Sequence, residues 1–402
     1  MKAYLHQFPK IVWIQTAGHA VTSFVSIILL PFLTLYMYDQ FGNNILLATL
    51  VIGVQPLTEI LFTFLFGGWI DKAGRRAVQL GSLVIQVVAV AGFAFSDQMG
   101  VFIFFAFLNG LGRFAYIPAA RAQISETVAI ERQSETFALL STASSIGALG
   151  GPVIGAVLFY HDPRSLFFLL SGVLLVYLLT GLKWLPESNL RVKSNEPVPR
   201  LNRRDYRTIG WLLAGMLPLS LFHAQMETNW PVFLKENIVN YLFVFSLLET
   251  IGTIVFICLE VVLVNRTKHI SRLHVIQAGY IFYVFAVLGF GFFHHIIAFI
   301  VSQLFFCLGA ILTLNHMQTF ISTLAPSEHK GKYFALFGLH WDISRSTGPL
   351  LGGMVLSIFN GHILFLSLAL LIVGGAFIQT MAIRSLVPSA LRDDHPFDEE
   401  VG

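Results

Sequence analysis

Charge is scarce in this 402-residue chain, in which only 12% of the residues are Asp, Glu, Lys or Arg while 55% are hydrophobic. Soluble domains carry about 25% charged residues, and a soluble protein of this size cannot cover its surface with half that supply. The mean hydropathy of +0.73 and the 38 phenylalanines point the same way. The shortage of charge therefore excludes a water-soluble protein and indicates a membrane protein.

Cysteines and catalytic motifs are also missing. The two cysteines, Cys258 and Cys307, both lie inside apolar runs, which excludes a disulfide framework and a CxxC metal site. The sequence contains no HExxH, no phosphate loop, no GxSxG and no His/Cys cluster with metal spacing. An ATP-driven pump, a metalloenzyme and a polytopic membrane enzyme therefore have no support, and we expect no enzymatic activity, cofactor or metal. The small net charge of +3 does not favour nucleic acid as a partner.

Long apolar runs are abundant, by contrast, and twelve of them reach the length of about 20 residues that crosses a bilayer. Spans 1 to 6 lie near 11–37, 44–66, 77–96, 100–120, 136–160 and 165–185. Spans 7 to 12 lie near 208–232, 240–264, 273–293, 296–317, 333–358 and 362–386. The sequence thus predicts an all-α membrane protein with twelve transmembrane helices.

The distribution of Lys and Arg predicts the orientation of these spans. With the N-terminus in the cytoplasm, only Arg164 and Lys235 fall outside, and Arg113 and Arg345 fall within spans, so 21 of the 25 basic residues are cytoplasmic. Basic residues concentrate in the cytoplasmic loops of membrane proteins. We therefore expect both termini to be cytoplasmic. The first span is expected to be retained, because no AxA-like cleavage site follows it.

One long polar segment, 186–207, interrupts the spans. Its three prolines and its basic residues are typical of a cytoplasmic linker. It separates an N-terminal bundle of six helices, residues 1–185, from a C-terminal bundle of six helices with a short cytoplasmic tail, residues 208–402.

The two halves resemble each other in sequence. FAL at 137–139 recurs at 334–336, an offset of 197 residues, and the same offset relates GFAF at 92–95 to GFGF at 289–292. Chance gives one such match but hardly several at one offset. We therefore predict two pseudo-symmetric six-helix bundles, an organisation with which transporters form a binding site between halves.

A glycine-rich basic loop, GGWIDKAGRR, connects spans 2 and 3. Its chemically distinctive residues are Gly67, Asp71, Lys72, Gly74, Arg75 and Arg76. Glycines permit a tight turn and close helix approach, and an acid beside clustered cations forms a charge network that can switch. The alternative interpretation is a basic cytoplasmic loop that serves topology alone.

This loop resembles the GxxxDRxGRR/K motif of the major facilitator superfamily, with Lys72 in the Arg position. The resemblance extends over the whole chain and implies its fold. It also implies that Asp71 interacts with the cytoplasmic start of span 11 and that Arg75 contacts an acid after span 4, where this sequence has Glu126. The resemblance implies that this network stabilises the outward-open state and that its contacts break when the transporter changes to the inward-open state. The matching second-half loop, VNRTKHISRL, lacks the glycines and the Asp, so we expect an asymmetric gate.

Small residues recur in span 5, in the segment SIGALGGPVIGA. Gly147, Gly151 and Gly155 are four residues apart and form a flat face for another helix, while Pro152 permits a kink. Ordinary glycine-rich packing produces the same pattern. The segment resembles the GxxxGPxxG motif of the drug:proton antiporter family, although Ala156 stands where a further glycine is usual. This resemblance implies export.

Span 11 repeats this pattern in the segment STGPLLGG. Its matching residues are Gly348, Pro349, Gly352 and Gly353. The duplication predicts that spans 5 and 11 both form the interface between the halves.

Ionisable side chains inside a span cost at least about 2.5–3.5 kcal/mol each, so each requires a reason. Glu59 and Arg113 lie equally deep in spans 2 and 4, and their pair is either a static bridge or a proton carrier coupled to substrate movement. Asp342 and Arg345 lie three residues apart on one face of span 11. They form either a local ion pair or part of the lining of a cavity. Glu249 in span 8 has no partner nearby in sequence, which makes it a further candidate proton carrier.

Polar residues cluster near the outer end of span 7, where they either gate a cavity or face water. They are His223, Gln225, Glu227 and Asn229. Three other histidines in spans, His19, His316 and His340, are each more typical of hydrogen-bonded neutral imidazoles than of a proton relay.

Together these features predict a secondary transporter of the bacterial plasma membrane that exports small amphipathic molecules by alternating access. Protons returning down their gradient would drive export, and we expect a monomer whose partners are the substrate, protons and the lipid bilayer. The alternative within the same family is a proton symporter or an exporter of a specific nutrient, sugar or lipid.

Overall fold

The computed structural model describes residues 8–128, 130–187, 203–325 and 330–386, within which the only regular secondary structure is α-helix. The helices are α1 (Lys10–Gln40), α2 (Ile45–Ala73), α3 (Arg75–Ala94), α4 (Met99–Thr127), α5 (Ile130–Leu149), α6 (Gly151–His161), α7 (Pro163–Trp184), α8 (Arg203–Glu227), α9 (Asn229–Asn237), α10 (Tyr241–Thr267), α11 (Arg272–Phe292), α12 (Ile296–Leu324), α13 (Lys330–Ile358) and α14 (Gly361–Leu386). The predicted all-α class is confirmed. Most of the predicted linker lies outside the described residues.

Two breaks divide helical segments that follow one another closely. α5 and α6 meet at Gly150, two residues before Pro152, and α8 and α9 meet at Thr228, three residues before Pro231. Proline lacks the N–H that would continue the helical hydrogen bonds and its ring clashes with the preceding turn. It is tolerated in the first turn of a helix, so a new helix begins just before each of these prolines.

Eleven helical segments in the described part of the chain are long and apolar enough to cross a membrane. α13, which carries Asp342 and Arg345 near its middle, is not among them. Length and hydropathy therefore establish a multi-pass membrane protein.

The helix bounds repeat at the offset that relates the two halves of the sequence. α3 begins at Arg75 and α11 begins at Arg272, 197 residues later. α4 covers Met99–Thr127 and α12 covers Ile296–Leu324, which again differ by 197 at both ends. Two stretches of weakly similar sequence therefore form helices of matching length in matching order.

The chain divides into two compact units. The first contains α1 to α7 together with residues 227–253 and 349–357. The second contains α8 up to Met226, residues 254–348 and α14. α9, the start of α10 and the end of α13 therefore belong to the same unit as the first seven helices.

A buried polar clamp lies in the core of the first unit, formed by Gln15 of α1, Gln79 of α3 and Gln123 of α4. Gln15 Nε2 donates to Gln79 Oε1 at 2.7 Å and to Gln123 Oε1 at 2.8 Å. Gln79 Nε2 also donates to Gln123 Oε1 (2.8 Å), and Gln123 Nε2 donates to the carbonyl oxygen of Pro186 (2.7 Å). Because a buried amide without a partner is costly, the clamp holds three helices and the segment after α7 in one arrangement.

Candidate functional site

The ion pair between Glu59 and Arg113 lies at the centre of the first unit's polar interior. Each is the fifteenth residue of a 29-residue helix, Glu59 in α2 and Arg113 in α4. Arg113 Nε donates to Glu59 Oε1 at 2.8 Å, and Arg113 Nη1 donates to Ser26 Oγ of α1 at 2.7 Å. Three helices therefore converge on one partly buried guanidinium.

Two amides complete this network. Gln55 Nε2 donates to Glu59 Oε1 at 3.1 Å, and Asn109 Nδ2 donates to Gln55 Oε1 at 2.7 Å. The side chains of Arg113 and Glu59 are 18% and 26% exposed. A partly accessible carboxylate paired with a cation can take up a proton, and the ion pair is then lost. We call Ser26, Gln55, Glu59, Asn109 and Arg113 the Glu59 network.

The predicted sequence motif between spans 2 and 3 forms a sharp turn between α2 and α3. Gly74 connects the two helices with φ +87°, a conformation that favours glycine. Arg75 Nε and Nη2 lie 3.0 and 2.9 Å from Glu126 Oε1, and Arg76 Nη2 donates to the carbonyl oxygen of Leu182 at 2.7 Å. The structure therefore brings Arg75 and Glu126 together. The side chains of Asp71 and Lys72 and the surroundings of Gly67 are outside the described part of the structure, so the role of Asp71 stays a prediction.

The glycine face of α5 and α6 packs against α1. A Cβ atom on Gly147 would lie 2.1 Å from the carbonyl oxygen of Ala20. A Cβ on Gly151 would lie 2.9 Å from Ile27, and one on Gly155 would lie 2.6 Å from Phe32. Pro152, between these glycines, is buried in the same unit. The helix that these glycines contact is thus a neighbour from the same half of the sequence.

The matching glycines of α13 also lie in close contacts. A Cβ on Gly348 would lie 3.0 Å from Ala224 Cβ of α8, while one on Gly353 would lie 2.3 Å from Thr49 Oγ1 of α2. The carbonyl oxygen of Pro349 accepts a 3.0 Å hydrogen bond from Asn229 Nδ2. Gly352 is buried as well. The proposed place of these residues at an interface between halves stays a prediction.

The remaining charged candidates are spread over both units. Glu249 is half-buried in α10, and the charge of Glu227, at the end of α8, acts on it within the first unit. Asp342 and Arg345 are exposed on α13 in the second unit. The proximity of Glu227 to Glu249 was not evident in the sequence, because the two acids are 22 residues apart.

A charged cluster that sequence reasoning missed joins α1 to α9 within the first unit. Lys235 Nζ forms an ion pair with Asp39, and Tyr38 Oη donates to Glu236 Oε1 at 2.5 Å. Lys235 Nζ also lies 5.7 Å from the ring centroids of Tyr38 and Tyr241, close enough for cation–π attraction. We call these five residues the Asp39 cluster.

Aromatic side chains support this cluster from the interior. Phe32, two turns before Asp39 in α1, lies 5.9 Å from Phe245 between ring centroids, and Phe245 lies 6.2 Å from Trp230. All three rings are almost completely buried. Since aromatic burial contributes much of the packing energy at such contacts, these rings hold α1, α9 and α10 together in the first unit.

The comparisons with known proteins assign the family. The model of the Major Facilitator Superfamily matches residues 16–349. Because this range covers most of the chain, the protein belongs to the major facilitator superfamily.

Relatives of this chain are transporters. The uncharacterized MFS-type transporter YhjO of Bacillus subtilis (strain 168) is 34% identical over 93% of this chain and 94% of its own length. A Na(+), Li(+), K(+)/H(+) antiporter of Planococcus maritimus is 26% identical over 80% of this chain and 83% of its own. The multidrug resistance protein MdtG of Enterobacter lignolyticus (strain SCF1) is 24% identical over 95% of this chain and 93% of its own length.

A solved structure supports the fold over nearly the whole chain. The nucleoside transporter NupG superimposes with a TM-score of 0.76, although it is only 11% identical, and the match covers 94% of this chain and all of NupG. At this identity the likeness concerns the fold alone.

Proposed function

We propose that this protein is a secondary active transporter that exports small amphipathic compounds in exchange for protons. In this proposal twelve spans, including α13, form two pseudo-symmetric six-helix bundles with both termini in the cytoplasm of a bacterium. The protein works as a monomer in the plasma membrane, and the proton gradient supplies the energy, so that no cofactor is required. The relatives that are named as an ion/proton antiporter and as a multidrug resistance protein support both parts of the proposal.

The observation that carries the proposal is the Glu59 network. A carboxylate and a guanidinium at the midpoint of two helices are expensive in a membrane, yet here they lie 2.8 Å apart and are only partly buried. Polar partners from three helices hold them in place. Such a group can bind a proton from water and transmit the change in charge to the helices that hold it.

The coupling follows from the difference between the two protonation states. With Glu59 ionised, Arg113 is paired and the arrangement of α1, α2 and α4 is favoured. Protonation of Glu59 removes the partner of Arg113, which destabilises this arrangement relative to the alternative one. A proton shifts such an equilibrium only by its differential affinity for the two states, and the ion pair supplies that difference.

Exchange of monovalent cations for protons is the second candidate function. The carboxylates of Glu227 and Glu249 lie within electrostatic reach of each other in the first unit, and carboxylate oxygens are typical ligands of hard cations. The antiporter of Planococcus maritimus supports the same alternative.

Reconstitution of the full chain into liposomes tests both candidates. We expect an imposed pH gradient to drive movement of an uncharged amphipathic dye, Nile red, against its gradient, and a protonophore to abolish it. The variant Glu59→Gln should bind dye but lose the dependence on the pH gradient. The matched control is Glu260→Gln, because Glu260 is another carboxylate within a span, belongs to the second unit and accepts a hydrogen bond from Asn315 (3.0 Å).

Two outcomes contradict the proposal. Dye movement that is unchanged after the gradient collapses excludes proton coupling. Proton release driven by Na⁺ or K⁺ alone, lost in Glu249→Gln but not in Glu59→Gln, favours cation exchange instead.

A further inference from the structure

Three aromatic rings enclose the imidazole of His223 in the second unit. The ring centroids of Tyr283 in α11, Phe306 in α12 and Trp341 in α13 lie 5.7, 4.5 and 5.1 Å from the imidazole centroid. Tyr283 and Phe306 are buried, whereas His223 and Trp341 are half-buried. These four residues, which we call the His223 cluster, therefore form an aromatic floor with an accessible side.

Hydrogen bonding leaves one nitrogen of His223 available to a ligand. Nε2 lies 2.7 Å from Tyr283 Oη. Because a phenol is a stronger acid than a neutral imidazole N–H, the phenol donates to Nε2, and the imidazole proton then resides on Nδ1. Nδ1 makes no hydrogen bond to a residue that the structure describes, and it is not among the fully buried atoms. His223 therefore offers an accessible N–H donor.

The field of a positive charge reaches this histidine. Arg345 lies one helical turn after Trp341 and is exposed near the middle of α13, and its charge acts on His223. Since an arginine at this depth is costly against hydrocarbon, we expect the surface that it exposes to line water-filled space. Two acids are also near in sequence, Asp342 beside Trp341 and Glu227 one turn after His223. A site dominated by acidic side chains would prefer cations.

The internal repeat relates the His223 cluster to the Glu59 network. At the offset of 197 residues His223 corresponds to Ser26 and Phe306 to Asn109, the residues that hold Arg113 and Gln55 in the first unit. Aromatic side chains thus occupy the positions that carry polar partners in the first unit. The second unit therefore offers stacking surfaces where the first unit offers an ion pair.

We propose that the His223 cluster binds planar aromatic compounds that carry an anionic oxygen. The ring of the compound would stack on Trp341, while His223 Nδ1 and the guanidinium of Arg345 would donate hydrogen bonds to the oxygen. Hydrogen bonds between charged partners are stronger than neutral ones, so the anion is favoured over a neutral isostere. This inference rests on the proposed function and deepens it by naming a substrate class.

Equilibrium binding of three probes to the purified full chain tests the inference. The probes are 2-naphthoate, 2-naphthamide and 2-naphthylmethylammonium, which share one ring system and differ in charge. We expect 2-naphthoate to bind about tenfold more tightly than the amide, as a charge-assisted hydrogen bond implies, and the ammonium to bind most weakly.

Substitutions then separate the contributions. Arg345→Gln should remove the preference for the anion and leave binding of the amide unchanged. His223→Phe should weaken binding of 2-naphthoate by about tenfold, and Trp341→Leu should weaken binding of all three probes by a similar factor. Equal affinity for the three probes, or a preference for the ammonium, would overturn the inference.

Matched controls use the same substitutions elsewhere in the second unit. His362→Phe alters a histidine that contacts the carbonyl oxygen of Gly291, and Arg384→Gln alters an arginine in the last turn of α14. Neither should change binding. Thermal unfolding reports whether each variant is folded. If His223→Phe is unfolded, the inference is tested by Arg345→Gln alone, through the relative affinities of this variant for the three probes.

This test is independent of proton coupling, because binding is measured without a pH gradient. Proton-driven transport of Nile red without selective binding of 2-naphthoate overturns only this inference. Selective binding of 2-naphthoate without proton-driven transport of any probe contradicts only the proposed function.

Discussion

The two units carry different chemistry at positions that the internal repeat makes equivalent. Glu59 and Arg113 of the first unit correspond, 197 residues later, to Phe256 and Ala310. The second half of the sequence therefore cannot form the same ion pair. Its membrane charges lie at other positions, with Glu249 and Glu260 on α10 and Asp342 and Arg345 on α13, where Arg345 corresponds to Ala148 of the first half. The two halves therefore share the bounds of some helices, such as α4 and α12, and differ in their polar side chains.

A second contrast concerns helix packing at one matching pair of positions. In the first unit Gly147 lies against the carbonyl oxygen of Ala20, so close that a Cβ would be 2.1 Å away. The equivalent residues of the second unit are Ser344 and Leu217, and Ser344 Oγ lies 3.5 Å from the carbonyl oxygen of Leu217. α5 thus approaches α1 more closely than a serine allows, whereas α13 leaves room for one against α8.

The largest effect is expected from removal of Arg113. Arg113→Leu leaves Glu59 partly buried without its counter-ion, and breaking a buried ion pair in this way costs about 3–5 kcal/mol. We expect proton-driven transport in liposomes to be lost and the midpoint of thermal unfolding to fall clearly. The double variant Glu59→Gln/Arg113→Gln removes both charges, so its unfolding midpoint should recover while proton coupling remains absent.

Recovery of coupled transport in that double variant would contradict the role of the pair in proton movement.

The introduction of Phe256→Glu with Ala310→Arg in the second unit sharpens the comparison. These two substitutions should not rescue coupling in the double variant, because the aromatic neighbours of the second unit offer no polar partners to hold a transplanted pair.

A smaller effect is expected from exchange of the packing residues. Gly147→Ser places a side chain against the backbone of α1, and overpacking of this kind costs about 1–3 kcal/mol. Ser344→Gly removes only a long hydrogen bond, and we expect a loss of less than about 1 kcal/mol. Thermal unfolding in detergent measures both. The control is Gly172→Ser in α7, where an added Cβ meets no atom within 4 Å, and equal effects at Gly147 and Ser344 would remove the contrast.

The smallest effect is expected at the Asp39 cluster, which has no described counterpart in the second unit. The side chains of Lys235 and Asp39 are 23% and 41% exposed, and pairs of this accessibility contribute about 0.2–1 kcal/mol. Lys235→Gln should therefore change the transport rate by no more than about fivefold. The charge exchange Asp39→Lys/Lys235→Asp should restore the rate.

The more exposed pair Arg164–Asp97 of the same unit provides the control, with side chains that are 50% and 64% exposed. Arg164→Gln should leave the transport rate unchanged. A rate that is equally insensitive to Lys235→Gln would show that the Asp39 cluster has no part in the conformational cycle.

Much of the candidate site could be predicted because the number of residues between the start of a helix and a side chain determines how deep that side chain lies in the membrane. Glu59 and Arg113 are equally far from the starts of their helices, and this equality alone suggested the pair that the structure contains. Gln55 and Asn109 lie four residues before them, on the same helix faces. That spacing was a usable signal for the rest of the Glu59 network, although sequence reasoning passed over it.

Other contacts carry no local signal. Asp39 and Lys235 are 196 residues apart, and each by itself is an ordinary charge near the end of a helix. The three rings around His223 come from three consecutive helices that begin 49 or more residues after it in the sequence. No periodicity relates such residues, because their proximity depends on how helices are placed beside one another.

The sequence by itself determined the membrane environment, the helical class, the repeat of 197 residues and the family, because hydropathy, helix length and short motifs are local properties of the chain. Only the tertiary structure decided which polar side chains meet, how closely α5 approaches α1, and which aromatic residues surround His223. Packing selects these contacts from many that the same helices allow. The scarcity of charge that marks the sequence therefore acquires its chemical meaning from a few side chains that the folded protein brings together.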